Sequence, residues 1–495
     1  MNDVPRKNIL ARLLYGRSFS ARAAPTLVGS AFGQGVAFVM LPLAAQIYDP
    51  TVLGRVGTTL ALVSVSALFL SLQYDQAVVV ATDEELPPLM LLCTAIVAGW
   101  TILTSTVVAL MPLLPGPAEK ALASLGVNWT LPPLLFTYGM FTLLTNYRLR
   151  KNEIMTVSVA RVAYYGGAAI LQVVLGYLVG PTEFMFLFSQ IVGSILAVGM
   201  MLPYRNAVNF AGQRPGIRAT LGEMTNVARI HVKFPKYQMG AGLINAVSLY
   251  MPIFFLRALY SDTWAGWFFM AWRLIQGPMT LVSQAVGQIF YRDSAELERS
   301  RANQGGVVEG LVFGLARVSL LPTLVLWVVS PPLVERFLGA SWMPVATMIQ
   351  ILLPAMIANF VTSPVSVYLN VRGLQSVALT VCIALFVTRL AGLGVGWPLN
   401  APMVSVGGYS AASTVVMLLF CRYIVNASGG STLNLVKRVL PHTLEVSLLT
   451  VVTVVLWLIG FLYNPFGLVI LGIAAVIVAL REYRRGGLSF GAHVA

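Results

Sequence analysis

Charge is scarce in this sequence. Only 10% of its 495 residues are Asp, Glu, Lys or Arg, against ~25% in a soluble domain. Hydrophobic residues make up 57% and mean hydropathy is +0.80, so the shortage of charge marks a chain that lives in lipid. Long polar stretches are missing as well. The longest, about residues 204–236, is too short for a soluble domain. Histidine is limited to His231, His442 and His493, near or beyond expected helix ends, and they form no metal cluster. Cys93, Cys382 and Cys421 fall in apolar stretches without metal-ligand spacing and read as small buried hydrophobes. No Gly-rich loop closing on Gly-Lys-Ser/Thr occurs, which excludes an ATPase engine in this chain. The longest expected outer loop, roughly residues 114–129, offers little room for catalytic groups, so no enzyme activity is expected. The acidic run Asp83, Glu84, Glu85 reads as a solvated cytoplasmic turn rather than a metal site.

What is abundant is apolar sequence in runs of spanning length. A membrane helix needs about 20 apolar residues, and fourteen of them would occupy ~280 positions, close to the hydrophobic share of the chain. Apolar runs read against Pro and Gly punctuation give spans at 24–48, 54–80, 86–113, 130–150, 154–179 and 184–203. After the polar stretch come 237–259, 263–290, 306–330, 344–370, 375–398, 403–425, 443–462 and 465–482. The first run is too long for a signal-peptide core and is expected to stay as a helix. Spans two, eight and ten run long and are expected to tilt or project beyond the lipid. The expected fold class is all-α, a polytopic membrane protein with about 14 transmembrane helices. Two related six-helix bundles would surround a central cavity, with two further C-terminal helices. The segments are 1–203 for the N-terminal bundle, 204–236 for a cytoplasmic linker loop, 237–425 for the second bundle, and 426–495 for the extra helices and a cytoplasmic tail.

Placing both termini in the cytoplasm puts 24 Lys and Arg on that side, and only Arg55, Lys120, Arg257 and Arg336 on the other. This is the positive-inside pattern expected of a bacterial cytoplasmic (inner) membrane protein. It also accounts for the net charge of +14 without nucleic acid. An internal repeat fits the same orientation. IYDPTVLGRV from Ile47 and LYSDTWAGWF from Leu259, offset by 212 positions, align Tyr48 with Tyr260, Thr51 with Thr263 and Gly54 with Gly266. TNYRLR from Thr145 and LNVRGL from Leu369 align Asn146 with Asn370 and Arg148 with Arg372. Both repeats start from the same side, so an axis along the membrane normal is expected to relate the halves. Alternating-access transporters show such repeats, with the site between them.

Four arginines remain inside spans once the loops are filled: Arg161, Arg273, Arg317 and Arg389. The last three lie ~15–21 Å from their helix starts and Arg161 ~10 Å. A central Arg costs about 2.5–3.5 kcal/mol on insertion scales, so a protein-lined or aqueous cavity is expected to hold it. All eighteen acids fall in loops or near helix ends, with Asp75, Glu309 and Glu445 the deepest. Guanidinium groups without a carboxylate at their depth favour an anion, and the planar fork suits phosphate oxygens. The four are candidate substrate-binding residues; the alternative is that each bonds helix carbonyls or reaches an interface. Gln34, Gln276 and Asn359 are polar candidates for the cavity, with interhelical hydrogen bonding as the competing reading. Asp75, ~33 Å along span two, is a gating candidate expected to pair with Arg148 or Arg150. Gly29, Gly33 and Gly35, with Ser30 between them, form a face suited to close packing or a hinge.

Several segments carry a family resemblance. They are PTLVGSAFGQGVAFVMLPLAAQIYDPTVLGRV from Pro25, SLQYDQAVVVATDEE from Ser71, KFPKYQMGAGLINAVSLYMPIFF from Lys233, SQAVGQIFYRDSAE from Ser283 and ILLPAMIANFVTSPVSVYLNVRGLQ from Ile351. They resemble the polysaccharide (O-antigen type) flippases of the multidrug/oligosaccharidyl-lipid/polysaccharide exporter superfamily, over roughly residues 20–430. Gln73-Tyr74-Asp75 departs from the family's usual Arg-Tyr-Asp. The resemblance implies two six-helix bundles facing a cavity, and a peripheral helix pair grooved for a polyprenyl tail. It implies movement of an undecaprenyl-diphosphate-linked oligosaccharide from the cytoplasmic to the periplasmic leaflet, for surface polysaccharide synthesis. The expected partners are that lipid-linked oligosaccharide, membrane lipids and other glycan-assembly membrane proteins. No resident cofactor is expected, and a proton or sodium gradient stays open as the energy source. Three other readings compete, one of them a structural scaffold for a biosynthetic complex, which would leave the four arginines unexplained. A cation-coupled drug exporter of the same superfamily would typically need a buried mid-depth carboxylate, and a membrane glycan polymerase or ligase would need a sizeable outer loop.

Overall fold

The computed structural model describes residues 20–202, 217–299 and 304–441. The chain runs through α1 (Ser20–Ile47), α2 (Pro50–Leu70), α3 (Leu86–Leu110), α4 (Leu131–Arg150), α5 (Ile154–Leu178) and α6 (Glu183–Met201). It continues with α7 (Ile217–Ile230), α8 (Lys233–Leu259), α9 (Asp262–Arg299), α10 (Gly305–Phe337), α11 (Met343–Ser366), α12 (Gln375–Val395) and α13 (Pro402–Ala427). Each of the first twelve expected spans coincides with one of these helices; 443–462 and 465–482 lie outside the described residues. Among the described residues, nine helices are long and apolar enough to cross a membrane. The protein is an all-α, multi-pass membrane protein.

Helix is what lipid demands, because no water is present to satisfy backbone polar groups. The hydroxyls within the helices are satisfied the same way. Thr101, Thr137, Ser194 and Thr388 each donate to the carbonyl four residues earlier, at 2.7–2.8 Å.

The chain divides into two compact units, one of Ala21–Met270 and one beginning at Ala271, inside α9. In the first, α4 packs on α3 and α6, α6 on α5, and α8 on α2. Tyr48 locks α1 into this unit. Its hydroxyl donates to the Gln172 carbonyl at 2.8 Å, and its ring meets Phe186 edge-on at 5.2 Å. Gly176 makes room for that ring, since a Cβ there would lie 2.6 Å from the hydroxyl oxygen. In the second unit α11 is central. Two-thirds of its span (67%) is buried against 22% for α12, whose exposed Ile383 and Val387 suit a lipid-facing surface.

Two details depart from the expected layout. Span two does not run unbroken from 54 to 80. α2 stops at Leu70, Leu72 and Gln73 adopt φ of 49° and 64°, and a short turn of helix follows at Tyr74–Ala77. Left-handed backbone costs roughly 1–2 kcal/mol at such residues, and no Gly or Pro announces it. Within 204–236, α7 forms and sets Val227 into a cluster with Tyr74, Leu89 and Cys93. The Tyr74 hydroxyl donates to the Ala228 carbonyl at 3.1 Å.

The first repeat is a physical contact. A Cβ on Gly54 would strike the Asp262 carbonyl, and one on Gly266 would strike the Pro50 carbonyl. Each would also lie 3.0 Å from the other glycine's nitrogen. The same 212-residue offset converts Pro50 into Asp262 and Gly54 into Gly266, so the two halves of the contact are equivalent. One turn on, Gly57 faces the ring of Phe269, its own counterpart. Helices α2 and α9 therefore meet across a local pseudo-twofold axis, backbone to backbone.

Candidate functional site

The break after α2 determines where Asp75 goes. Its side chain is buried, accepts a hydrogen bond from the Ser71 hydroxyl, and accepts another from Asn146 Nδ2 at 3.0 Å. The expected partners, Arg148 and Arg150, are engaged elsewhere. Arg148 pairs with Glu153 and donates from Nε to the Met201 carbonyl at 2.8 Å. Arg150 donates to the carbonyls of Val78 and Ala81 and binds Asp83 at 2.7 Å. Asn146 sits one helical turn before Arg150 on α4, and the helix break swings Asp75 to that turn. Burial pushes the Asp75 carboxyl above its ordinary range, against the hydrogen bonds from Ser71 and Asn146.

Asp75 thus joins α4 to the end of α2 through hydrogen bonds from two uncharged partners. In Asp75→Asn, a flipped Asn146 amide can keep the link, so membrane abundance and any ion-gradient dependence of transport should be unchanged. Asp75→Ala leaves buried donors unmet and should destabilise the protein by about 1–3 kcal/mol. Thermal melts in detergent and transport with and without ionophore read the two effects. Loss of gradient dependence in a well-folded Asp75→Asn protein would make Asp75 a coupling group instead.

At the opposite end of the first unit is a network that sequence reading missed. Asp262 accepts from Arg55 Nε at 2.6 Å and from Arg257 Nε at 2.7 Å, tying α2, α8 and the start of α9. Asn128 donates to Glu183 at 2.8 Å and to Thr59 at 3.0 Å. Arg55 directly follows the repeat glycine Gly54, and Asp262 lies one turn before its counterpart Gly266; that proximity to the repeat was the available signal.

The candidate arginines are divided. Arg161 is half-buried on α5 in the first unit; Arg273, Arg317 and Arg389 are on α9, α10 and α12 in the second. Arg389 is 5% exposed, donates from Nε to the Ser413 hydroxyl at 2.8 Å and lies 5.1 Å from the Tyr409 ring centroid. Its surroundings are those of a helix-packing residue, where α12 and α13 approach at Gly392 and Gly408. Arg273 and Arg317 keep more open surface, and Arg317 sits 6.0 Å from the Phe313 ring. Gln34 and Gln276 are half-buried on α1 and α9, and Asn359 is exposed on α11. The small-residue face of α1 packs against α5: a Cβ on Gly33 would lie 3.0 Å from the Arg161 carbonyl and Val162 Cα.

No family model matches this chain, and no curated protein matches it. Solved structures do. The lipid II flippase MurJ in an inward closed conformation aligns with a TM-score of 0.71 at 12% identity, covering 93% of this chain and 98% of its own. An inward-facing multidrug resistance MATE family transporter of the MOP superfamily aligns at 0.55 and 13% identity, covering 86% and 100%. A MOP superfamily transporter from Pyrococcus furiosus, described as having a binding pocket of reverse polarity, aligns at 0.51 and 12%, covering 87% and 100%. At these identities the likeness establishes the fold alone, a helical membrane fold shared with these flippase and transporter structures.

Proposed function

We propose that this protein is a flippase that moves an undecaprenyl-diphosphate-linked oligosaccharide from the cytoplasmic to the periplasmic leaflet of a bacterial inner membrane, supplying surface polysaccharide synthesis by alternating access. One observation carries the reading. The likeness to the lipid II flippase spans 93% of this chain at a TM-score of 0.71, whereas the multidrug-transporter likeness quoted above reaches 0.55 and accounts for 86%. Charge supports it. Arg273 and Arg317 lie within α9 and α10 and are only partly buried, while no described acid stands in the middle of a spanning helix, and a diphosphate is the anion that guanidinium forks match. A drug exporter for cations would want the opposite sign at that depth. Other glycan-assembly proteins are its natural neighbours in the membrane, and a proton or sodium gradient would supply the energy.

Reconstitution tests this directly. Liposomes containing the purified chain and an undecaprenyl-diphosphate-linked oligosaccharide should expose their inner-leaflet glycan to an impermeant glycosidase added outside. Protein-free liposomes should keep it protected. Protection unchanged by the protein under either ion gradient, together with gradient-driven uptake of a cationic dye, would replace this reading with drug export.

A further inference from the structure

The interior of the first unit holds aromatic side chains that the diphosphate reading does not use. α5 is interrupted by a π-helical segment, Ala163–Gly167, and such segments recur at functional sites. It carries two consecutive tyrosines with different fates. Tyr164 turns into the packing: it is buried, stacks on Phe141 with centroids 4.2 Å apart, and hydrogen-bonds Ser194 and Gln190. Tyr165 keeps 37% of its surface open. Its ring meets that of Tyr164 edge-on with centroids 4.8 Å apart; Arg161 lies one turn earlier on α5, and Tyr250 on α8 is within electrostatic reach. Tyr138 on α4 is within reach of both Tyr165 and Tyr250, and its ring centroid is 6.5 Å from that of Tyr164. Tyr138, Tyr250 and Arg161 are themselves only half-buried. Three helices thus bring three phenols and one guanidinium together, ~10–17 Å along α5.

Their chemistry narrows the ligand. Aromatic faces carry partial negative charge, so a ring of them is a poor cradle for a phosphate. A cationic drug would be drawn to those faces but repelled by Arg161. A pyranose satisfies both features, because its C–H face stacks on an aromatic ring while its hydroxyls meet phenol and guanidinium hydrogen-bonding groups. We infer that Tyr138, Tyr165 and Tyr250, with Arg161, form a subsite for a sugar ring of the lipid-linked glycan. The inference rests on the flippase reading and adds the part of the substrate that this unit holds. It moves Arg161 from the diphosphate to the sugar.

The experiment compares two probes on the purified full chain in nanodiscs: bare undecaprenyl diphosphate, and the same lipid carrying a trisaccharide. The unaltered protein should bind the glycosylated lipid more tightly. Tyr165→Leu should weaken that lipid ~2–10-fold and leave the bare lipid unchanged, since stacking contributes on that scale. Tyr165→Phe keeps the ring and loses only the hydroxyl, so it should weaken the glycosylated lipid less than Tyr165→Leu does; monodisperse elution of both variants controls for folding. Equal binding of both lipids by the unaltered protein overturns the sugar subsite, as does equal weakening of both by Tyr165→Leu. If the unaltered protein binds neither lipid, the flippase reading fails and takes the subsite with it.

Discussion

Arg273→Ala and Arg317→Ala are each expected to weaken diphosphate binding ~10–150-fold, and to cut glycan export per molecule severely. A hydrogen bond to a charged partner is worth roughly 1.5–3 kcal/mol, and that range converts to those factors. Lysine keeps the charge but loses the fork, so Arg273→Lys and Arg317→Lys should be impaired only in part. Arg389→Ala should behave differently. That side chain is 5% exposed and already engaged with Ser413 and Tyr409, so its removal should lower the amount of folded protein more than transport by each molecule. The measurement is glycan export divided by membrane protein level across all three alanine variants. Normal export per molecule in both Arg273→Ala and Arg317→Ala would end the anion-cavity idea and leave the flippase reading on the fold alone.

Gly54→Ala and Gly266→Ala should each sharply reduce folded protein. The added methyl meets backbone on the opposite helix, Asp262 in one case and Pro50 in the other. Backbone cannot swing aside as a side chain can, so the helices must separate. Overpacking ordinarily costs about 1–3 kcal/mol, and a clash on a helix backbone belongs at the upper end. The contact is equivalent on its two sides, so the losses should be of similar size. Gly35→Ala is the control, because nothing lies within 4 Å of its added Cβ. Fluorescence-detected elution and melting temperature report the outcome; two wild-type-like glycine variants would mean the helices do not approach as closely as described.

Helices were legible because lipid imposes one rule along the whole chain: long apolar runs broken by Gly, Pro and charge. Partnership was harder to read. The turn at Leu72–Gln73 has no Gly or Pro to betray it, and it redirects Asp75 from the expected arginines to Ser71 and Asn146. Mid-span arginines stand out singly because each is costly in lipid. Tyr138, Tyr165 and Tyr250 do not, since a tyrosine in an apolar span is ordinary until helices far apart in sequence bring several together. The repeat was readable in outline through Tyr48 and Tyr260, Gly54 and Gly266. That its glycines touch is a fact of three dimensions.

That reciprocal glycine contact also bears on ancestry. A patch that meets its own equivalent is the geometry of an isologous homodimer interface. Two copies of a half-length chain would make this contact with a single glycine serving both sides. Gene duplication and fusion would then release each side to change separately. Arg55 and Asp262 bear the mark of that freedom, for their equivalents, Trp267 and Pro50, cannot form a second ion pair. On such an origin a symmetric seam would have acquired a lopsided clasp, while the two glycines hold the backbones together.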